Sequence, residues 1–532
     1  MKTCTGTKRM MNDNPILKMD FPDPDVIRVG DTYYMVSTTM HFFPGGVILR
    51  SFDLVHWETV AYVYDRLDDT EKQCLIGQAN CYGQGMWAAT LRYHKGLFYV
   101  CFVANDTHKT YLYTAKQAEG PWKRQEIEGF YHDCSLFFDE DDSVYLVYGN
   151  TDIRLTQMKA DLTGPMPGGL DRIIVRDSGN GFLGYEGSHM YKIGGRYYVF
   201  FIHSRKDRWM RTQACFCADS LQGIFRGRDV LEDTRGYCNQ GVAQGGIVDT
   251  PDGRWYAVLF QDHGAVGRIP VLLPVSWREE AAPEGVTGTF PVFGENGRVP
   301  ESFPVTSTRP DYRYAPLYAS DDFTEDGNQG GYRGLRNVWQ FNHRPDDRLW
   351  GVEQNCFWIR TGKLCRNLTQ AQNTLTQRLL FPRCSVSVTL DFSGLREGDY
   401  AGLCALQGCY GMIAVKIEKG TPCLVMGARE AEDDSLNAMP AGNEPAPEYE
   451  VLPLTGSADS KVKLRLEADF WQMKDTVRFF YDRGEGWEAL GPAHKLRFKM
   501  DHFCGCRAGL FAYSTQKSGG VAAFSRFRYE EN

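Results

Sequence analysis

The sequence repeats one short pattern five times: GDTYYMVSTT (30–39), KGLFYVCFVAN (95–105), DDSVYLVYGN (141–150), GGRYYVFFIHS (194–204) and DGRWYAVLFQD (252–262). In each copy a Gly or Asp turn leads into an aromatic, β-branched run, which is typical of a buried strand. One tyrosine of each copy, the second aromatic residue in four of the five, marks the register: Tyr34, Tyr99, Tyr145, Tyr198 and Tyr256. These tyrosines are 65, 46, 53 and 58 residues apart, which leaves room for four strands per repeat. Helical periodicity is weak here, so the repeats predict a five-bladed β-propeller.

The pattern stops after Trp277. Residues 278–316 are rich in Pro, Gly and polar residues and are interpreted as a connecting segment. From about Leu317 alternating strands resume without the repeat signature, as in CSVSVTLDF (384–392) and KVKLRLEAD (461–469). This pattern favours an antiparallel, jelly-roll-like β-sandwich. The sequence therefore predicts an all-β chain with a propeller over 12–300 and a C-terminal β-sandwich over 317–532.

Composition excludes several classes of protein. The 532 residues include 59 basic and 67 acidic side chains, a net charge of −8, which argues against a nucleic-acid partner. No apolar run reaches the roughly 18 residues of a membrane span, so no membrane partner is expected. The first residues lack the apolar core of a signal peptide, and the 16 cysteines are scattered without zinc-ligand spacing. We therefore expect reduced thiols, no metal-ligand set and a cytoplasmic location.

The repeat register also predicts a site. Stepping back 11 or 12 residues from each marker tyrosine reaches Asp23, Trp87, Asp133, Glu186 and Gln244. Equivalent positions on the innermost strands of a propeller meet around its axis, so these five side chains are expected in one ring. Three carboxylates in one ring repel each other and raise at least one pKa, which suits general acid–base chemistry, and a tryptophan offers a flat face for a sugar. The alternative is that each carboxylate caps a turn or pairs with a nearby arginine.

Several motifs resemble glycoside hydrolase family 43, in particular its two-domain β-xylosidases and α-L-arabinofuranosidases. They occur in the family's order over about residues 14–530: NPILKMDFPDPDVIRVGDTYYMVSTT, STTMHFFPGGVILRSFDLVHWE, GMWAATLRYHKGLFYV, DCSLFFDEDDSVYLVYG, YEGSHMYKIGGRYYVF, AVGRIPVLLPVSW, NVWQFNHRPDDRLW, NTLTQR and AGLCALQ. The last three resemble the accessory domain that follows the propeller in these enzymes. The resemblance therefore implies a glycosidase whose catalytic domain is the propeller.

Carried over by position, the resemblance implies that Asp23 is the general base and Glu186 the general acid. Asp133 matches the third carboxylate, which orients the acid and tunes its protonation. The family works by inversion, in which acid and base flank the scissile bond about 6.5–9.5 Å apart with room for a water molecule. The predicted substrate-binding residues are Trp87, Arg268, Phe42, Phe43, Gln244 and His263, the last because it shortly precedes Arg268.

The resemblance leaves the metal content open. Many members have a histidine where Ala243 stands, and that histidine helps to hold a calcium ion or water beneath the site. We therefore predict that no cofactor is required, and structural calcium remains an alternative.

The function predicted from the sequence is an inverting exo-glycosidase that releases terminal β-D-xylose from short xylo-oligosaccharides. An α-L-arabinofuranosidase or a bifunctional enzyme is the alternative, because both sugars present similar hydroxyl patterns. A lectin-like, carbohydrate-binding propeller is the non-enzymatic alternative, although it has no need of three carboxylates in one ring. The expected partner is a small oligosaccharide in a pocket that the sandwich partly covers. Assembly into a homo-oligomer is left open.

Overall fold

The computed structural model describes residues 10–177, 179–324, 330–439, 442, 444–454 and 460–532. Regular structure in this part of the chain is β, apart from five single 3-10 turns: Gly264–Val266, Glu279–Ala281, Tyr332–Gly334, Leu368–Gln370 and Trp471–Met473. None of these helical turns has the length or apolar character that a membrane-crossing helix requires. The predicted all-β class is confirmed.

The predicted five-bladed propeller is also confirmed, and each blade is an antiparallel sheet whose strands follow chain order. The first two blades contain Asp25–Val29, Thr32–Ser37, Gly45–Ser51 and Glu58–Tyr64, then Met86–His94, Leu97–Ala104, Lys109–Ala115 and Lys123–Ile127. The next two contain Ser135–Phe138, Val144–Tyr148, Asp152–Met158 and Asp171–Arg176, then Glu186–Ile193, Arg196–Ser204, Arg211–Ala218 and Arg226–Leu231. The fifth contains Val242–Ala243, Ile247–Asp249, Trp255–Asp262, Arg268–Arg278 and Phe290–Phe293.

The five repeated segments form the second strand of each blade. The strand before each of them is the innermost one. Inner strands of the first four blades contact each other in succession, and that of the first blade also contacts the fifth. In the fifth blade two short pieces, Val242–Ala243 and Ile247–Asp249, share this inner position and both pair with Trp255–Asp262. The residues that begin the inner strands therefore gather at one mouth of the propeller.

A buried polar network ties the blades together along the axis. Asp25 is fully buried, and its Oδ2 accepts hydrogen bonds from the Leu91 backbone N–H at 2.8 Å and from Arg92 Nη1 at 2.7 Å. Its Oδ1 lies 3.1 Å from His189 Nδ1, and Arg92 Nη2 donates to Ser135 Oγ at 2.7 Å. Burial alone raises the pKa of Asp25, but Arg92 and His189 outweigh it and lower that pKa to about 2. The first four blades are thereby joined below the mouth.

The second region is a sandwich of two antiparallel sheets, as predicted. One sheet has eight strands in the order Glu448–Pro453, Thr421–Ala428, Gly411–Glu418, Asp399–Leu406, Arg507–Ser514, Leu375–Arg378, Gln340–Asn342 and Phe42–Phe43. The other has seven in the order Trp350–Glu353, Cys356–Arg360, Val521–Glu531, Arg383–Gly394, Lys461–Asp469, Thr476–Asp482 and Glu488–Lys495. Alternate residues of Arg383–Gly394 and Lys461–Asp469 are buried, because one face of that sheet packs into the core.

Two strand pairings extend past the domain limits predicted from the sequence, with the propeller ending at 300 and the sandwich beginning at 317. Phe42–Phe43 lies within the propeller sequence but pairs with Gln340–Asn342 and completes the eight-stranded sheet of the sandwich. Met10–Asp13 pairs with Ser302–Val305, beyond the predicted end of the propeller. The two regions are consequently joined by backbone hydrogen bonds as well as by side chains.

The propeller and the sandwich also share one apolar core. Trp57 and Ile269 of the propeller belong to the same buried cluster as Leu380 and Phe381 of the sandwich. Polar contacts cross the same boundary, because Gln340 Nε2 donates to the Pro44 carbonyl at 2.6 Å. Burial of apolar surface of this kind stabilises the two regions as one unit.

Candidate active site

The five residues predicted from the repeat register line one narrow cavity at the mouth of the propeller. Asp23 and Asp133 each precede an inner strand by two residues, Trp87 and Glu186 stand at the beginning of inner strands, and Gln244 lies between the two short pieces in the fifth blade. The structure thus brings all five side chains together.

Three of these residues have left-handed backbone conformations. The φ angles are 52° at Asp23, 48° at Asp133 and 56° at Gln244. Positive φ is uncommon outside glycine and costs of order 1–3 kcal/mol where the neighbouring structure enforces it. Aspartate tolerates this region better than most residues, so the two aspartates turn sharply into the inner strands with their side chains in the cavity.

Arg268 holds Asp23 in place. Arg268 Nη1 donates to Asp23 Oδ1 at 3.0 Å, and both side chains are nine-tenths buried. The guanidinium lies 4.6 Å from the ring centroid of Phe503, and its Nη2 donates to the Phe503 carbonyl at 3.2 Å. A buried, charge-assisted hydrogen bond of this kind fixes the direction of the carboxylate.

Glu186 is held by two residues of the third blade. Asn150 Nδ2 donates to Glu186 Oε2 at 2.7 Å, and His132 Nε2 lies 3.4 Å from the same oxygen. The Glu186 side chain is 17% exposed, so it remains accessible from the cavity while one of its oxygens is anchored. This arrangement suits a carboxyl group that must meet a substrate oxygen.

Asp133 lies deepest in the carboxylate group. It is 5% exposed, and its Oδ1 has no hydrogen-bond partner although it is 3.7 Å from His132 Nε2. Burial raises the pKa of Asp133 to about 7, the nearby Glu186 and Asp23 act in the same direction, and His132 and Arg268 oppose them. Mutual repulsion among the three carboxylates, expected from the sequence, thus contributes to a raised pKa.

His132 carries the compensating positive charge. The adjacent Asp133 raises the pKa of His132 to about 9, burial opposes this, and Glu186 reinforces it. The imidazole is therefore protonated at neutral pH and lies between two carboxyl groups. The ligand atoms of His132, Asp133 and Glu186 all lie within 4.8 Å of one another, a spacing that is also compatible with a metal ion.

The wall of the cavity comes from both parts of the molecule. Trp87 donates its Nε1–H to the Gly83 carbonyl at 3.2 Å, and its ring lies 5.5 Å from that of Phe503. Phe503 belongs to the turn that precedes the sandwich strand Arg507–Ser514, and Met40 adds a further apolar contact. The sandwich therefore contributes a side chain to the pocket, in agreement with the expectation that it covers the site.

Gln244 and Arg211 complete the polar lining. The Gln244 backbone N–H donates to Gln213 Oε1 at 2.7 Å. Gly187 has a φ of 66°, and a Cβ there would lie 2.7 Å from the Gln244 side chain, so both the backbone and the close approach favour glycine. Arg211 donates from Nε to Asp262 Oδ2 at 2.6 Å and also faces the cavity.

Three predicted substrate contacts lie elsewhere. Phe42 and Phe43 are 1% and 2% exposed, pair with the sandwich, and are not among the residues lining this cavity. The guanidinium of Arg507 packs on the Phe42 ring, 3.4 Å from its centroid. These two residues differ from the expectation because they join the two regions of the molecule.

His263 also lies outside the cavity. It is 2% exposed and stacks on Tyr237 with ring centroids 4.2 Å apart, against the edge of Phe381. Burial lowers the pKa of His263 to about 3, so the ring is neutral. Proximity in sequence to Arg268 was misleading because the 3-10 turn Gly264–Val266 separates the two side chains.

Sequence reasoning missed four residues of the site: His132, Asn150, Arg211 and Phe503. Two of them left a signal, because His132 directly precedes Asp133 and Asn150 ends the third repeat. Phe503 left none, since its approach to the cavity depends on the packing of the sandwich against the propeller.

The propeller and its ring of carboxylates define a glycoside hydrolase, and comparison with known proteins identifies which kind. The chain belongs to glycosyl hydrolases family 43, whose family model matches residues 12–283. Residues 326–530 match the beta xylosidase C-terminal concanavalin A-like domain. The family assignment removes the lectin-like alternative, because the match covers the propeller that carries the three carboxylates.

Individual relatives include two related activities. The beta-xylosidase of Formosa agariphila is 25% identical over 97% of this chain and 90% of its own length. A non-reducing end alpha-L-arabinofuranosidase of Bacteroides ovatus is 26% identical over 73% of this chain and 72% of its own. The solved structure of a bifunctional GH43-CE protein of Bacteroides eggerthii superposes with a TM-score of 0.87 and 41% identity, covering 99% of this chain. This chain spans 64% of that longer protein.

Proposed function

We propose that this protein is an inverting exo-glycosidase that releases terminal β-D-xylose from short xylo-oligosaccharides. The observation that carries the proposal is a small pocket in which Asp23, Asp133 and Glu186 arrive from three different blades. Inverting hydrolysis needs two carboxyl groups with separate roles, one to activate water and one to protonate the leaving oxygen. Asp23 and Glu186 have different partners, Arg268 for Asp23 and Asn150 with His132 for Glu186. We therefore assign the two roles to these two residues.

Asp23 acts as the general base in this proposal. Arg268 donates a hydrogen bond to Asp23 Oδ1 and prevents the carboxylate from rotating away from the cavity. The carboxylate accepts a proton from a water molecule as the oxygen of that water forms a bond to the anomeric carbon. The flanking residues Pro22 and Pro24 restrict the backbone, which holds the base in position.

Glu186 acts as the general acid. It donates its proton to the glycosidic oxygen as the bond from that oxygen to the anomeric carbon breaks, and both bonding electrons leave with the oxygen. Asn150 and His132 anchor Oε2. The charge on His132 also stabilises the carboxylate that remains after proton transfer.

The closed wall supports exo cleavage. Trp87 and Phe503 bound the cavity on one side, and Phe503 comes from a turn of the sandwich. A wall beside the carboxylates accommodates the end of a chain better than its middle. Released products should therefore be single sugars, and xylan cleaved at internal bonds would contradict this part of the proposal.

Time-resolved proton NMR of the full-length protein with xylobiose tests the reaction and its stereochemistry together. We expect α-xylose to appear first and then to equilibrate with the β-anomer by mutarotation. Initial β-xylose would show retention and would overturn the base role of Asp23. The arabinofuranosidase alternative is supported by the Bacteroides ovatus relative, and arabinose release from an arabinosylated oligosaccharide, without xylobiose cleavage, would favour it.

Substitution of the proposed acid gives a residue-specific test. Glu186→Gln should lower kcat on xylobiose by about 10²–10⁴-fold, the usual contribution of a general acid. With an aryl xyloside, whose leaving group needs no protonation, kcat of this variant should fall much less. Glu295→Gln, which changes an exposed glutamate in a turn of the fifth blade, is the matched control and should leave both rates unchanged. Equal losses on the two substrates would contradict the acid role.

We propose that hydrolysis requires no added metal ion. The narrow space beneath the carboxylates is lined by Asp23, Asp133, His189 and Gln244, and Ala243 offers no side-chain ligand. His189 offers a nitrogen atom to this space, whereas calcium prefers six to eight oxygen ligands. Loss of activity in EDTA that calcium alone restores would contradict this.

We also propose a cytoplasmic location and leave the oligomeric state open. The location is supported by the cysteines, since the fifteen described ones are all thiols. Cys101 and Cys134 illustrate this, with their sulfur atoms 3.7 Å apart at a buried contact. Thiols so close together are typical of a reducing compartment. Imported short oligosaccharides would be the substrates available there.

A further inference from the structure

A second cluster of potential ligands lies at the boundary between the propeller and the sandwich. His41 follows the second strand of the first blade, and His502 and Cys504 belong to the turn before Arg507–Ser514. All three are at most 4% exposed. One ligand atom from each lies within 4.8 Å of the other two. The cluster is separate from the three catalytic carboxylates.

The histidines of this cluster have unused nitrogen atoms. Both ring nitrogens of His41 and Nδ1 of His502 are buried without a hydrogen-bond partner. The neighbouring His343 differs, because the Cys81 backbone N–H donates to its Nε2 at 3.0 Å and its Nδ1 lies 3.2 Å from Asn342 Oδ1. A buried polar atom without a partner costs about 1–3 kcal/mol, and most such atoms in proteins are paired. These three ring nitrogens are therefore available as ligand atoms for a bound ion.

We propose that His41, His502 and Cys504 bind a divalent ion of the zinc type. Two imidazole nitrogens and one thiolate are a ligand set that zinc prefers, with a water molecule as the fourth ligand. Tyr82 stacks on His502 with ring centroids 4.0 Å apart, and both residues line an open cavity through which an ion can enter. An ion bound there would bridge the two parts of the molecule.

The two histidines are already neutral, as metal ligands must be, whereas Cys504 has to lose its proton on binding. Burial lowers the pKa of His41 well below its usual value and that of His502 to about 4, so both rings are neutral. Burial raises the pKa of Cys504 to about 12, so the thiol is protonated before an ion binds. Metal binding must displace that proton: the S–H bond breaks as the S–metal bond forms, and the proton passes to solvent. The charged groups that influence these three residues are Asp20, Asp501, Arg268, Arg429 and Arg507.

The proposed site adjoins the pocket on both sides. Phe503 lies between two ligands in sequence, and Met40 directly precedes the third; both of these neighbours line the active-site cavity. An ion that ties His41 to the 502–504 turn would therefore hold the apolar wall of the pocket in place. This gives the site a structural role without any part in the reaction.

Binding of Co²⁺ to the full-length, metal-free protein tests the proposal. A thiolate bound to cobalt gives a charge-transfer absorption band in the near ultraviolet, so the band reports on a cysteine ligand and not on His132, Asp133 and Glu186. We expect one equivalent of Co²⁺ to produce the band and Zn²⁺ to displace it. Zn²⁺ should also raise the melting temperature, because it binds the folded state.

Matched variants make the test specific. Cys504→Ser should abolish the band and weaken Zn²⁺ binding by more than about 100-fold, since loss of an outer-shell partner alone costs about 10–100-fold. Cys506→Ser changes another buried thiol of the same segment and should keep the band. Glu186→Gln should also keep it. Where Cys504→Ser fails to fold, His502→Ala serves instead. The absence of a band in the wild type, or a band unchanged in the folded Cys504 or His502 variant, would overturn the proposal.

Discussion

Asp133 illustrates how a single residue links the stability of this protein to its chemistry. Its carboxyl is buried beside Glu186 and Asp23, and only His132 and Arg268 offset the repulsion. Removing such a group from water favours the neutral acid, so the folded protein binds this proton more tightly than the unfolded chain does. Holding three carboxyl groups together therefore lowers the free energy of unfolding once Asp133 is ionised.

A pH dependence of stability follows. Because the pKa of Asp133 rises from 3.8 to about 7 on folding, the free energy of unfolding should fall as pH rises from about 4 to about 7. The raised pKa of His132 acts in the same direction between about pH 6.5 and pH 9. Asp133→Asn removes the first contribution, and its urea-unfolding free energy should change less between pH 4.5 and pH 7 than that of the wild type.

The control for this experiment is Asp311→Asn, which changes an exposed carboxylate in the connecting segment. Its stability should follow the wild-type pH dependence. Equal pH slopes in Asp133→Asn and the wild type would show that Asp133 titrates normally in the folded protein.

At the scale of single residues, the sequence predicts the three carboxylates of the site but not all of the residues that surround them. The offset from the marker tyrosines located Asp23, Asp133 and Glu186, because the repeat places equivalent residues at one end of the inner strands. Phe42 was placed in the pocket by resemblance alone, yet a strand pairing with Gln340–Asn342 removes it. Contacts between distant segments leave no periodic signal, so Phe503 could not be found either.

At the scale of elements, the turn that precedes Arg507–Ser514 has an unusual position. It belongs to the sandwich but packs against the first and fifth blades: the Cys506 backbone N–H donates to the Ala265 carbonyl at 2.8 Å, and that of Gly505 donates to Asp20 Oδ2 at 2.8 Å. Phe503, held in the same turn, has a φ of 50° and contacts Trp87 and Arg268. The turn therefore acts as one wall of the pocket.

Truncation of this wall should weaken substrate binding more than catalysis. Phe503→Ala removes aromatic contacts worth about 0.5–1.5 kcal/mol, so KM for xylobiose should rise about 2–12-fold while kcat changes less. Steady-state kinetics measure both constants. Phe480→Ala, on the sandwich strand Thr476–Asp482 away from the cavity, is the control and should leave KM unchanged. An unchanged KM in Phe503→Ala would show that the turn does not contact the substrate.

At the scale of the whole molecule, the two regions share one apolar core. The largest apolar cluster contains Trp57 and Ile269 from the propeller together with Leu380 and Phe381 from the sandwich. Predicting the two architectures from strand patterns succeeded because each pattern is local. Their shared core could not be predicted, since it depends on pairs of residues hundreds of positions apart.

A chain that ends at residue 316 tests this unity. It should lack cooperative thermal unfolding and xylobiose hydrolysis, because part of its core would be exposed to water and the wall at Phe503 would be absent. Circular dichroism melting and activity are the measurements, with the full-length protein as the reference. A truncated propeller that melts cooperatively and turns over substrate would contradict the shared core.

The pairing of Phe42–Phe43 with Gln340–Asn342 has a consequence for biosynthesis. Translation at about 5–20 residues per second separates the two strands by about 15–60 s, so the early strand must wait on the ribosome for its neighbour. During that interval Phe42 lacks the sandwich residues that bury it, and binding by a chaperone would protect it. Phe503 is synthesised later still, so a nascent chain cannot complete the pocket until residue 503 has left the ribosome.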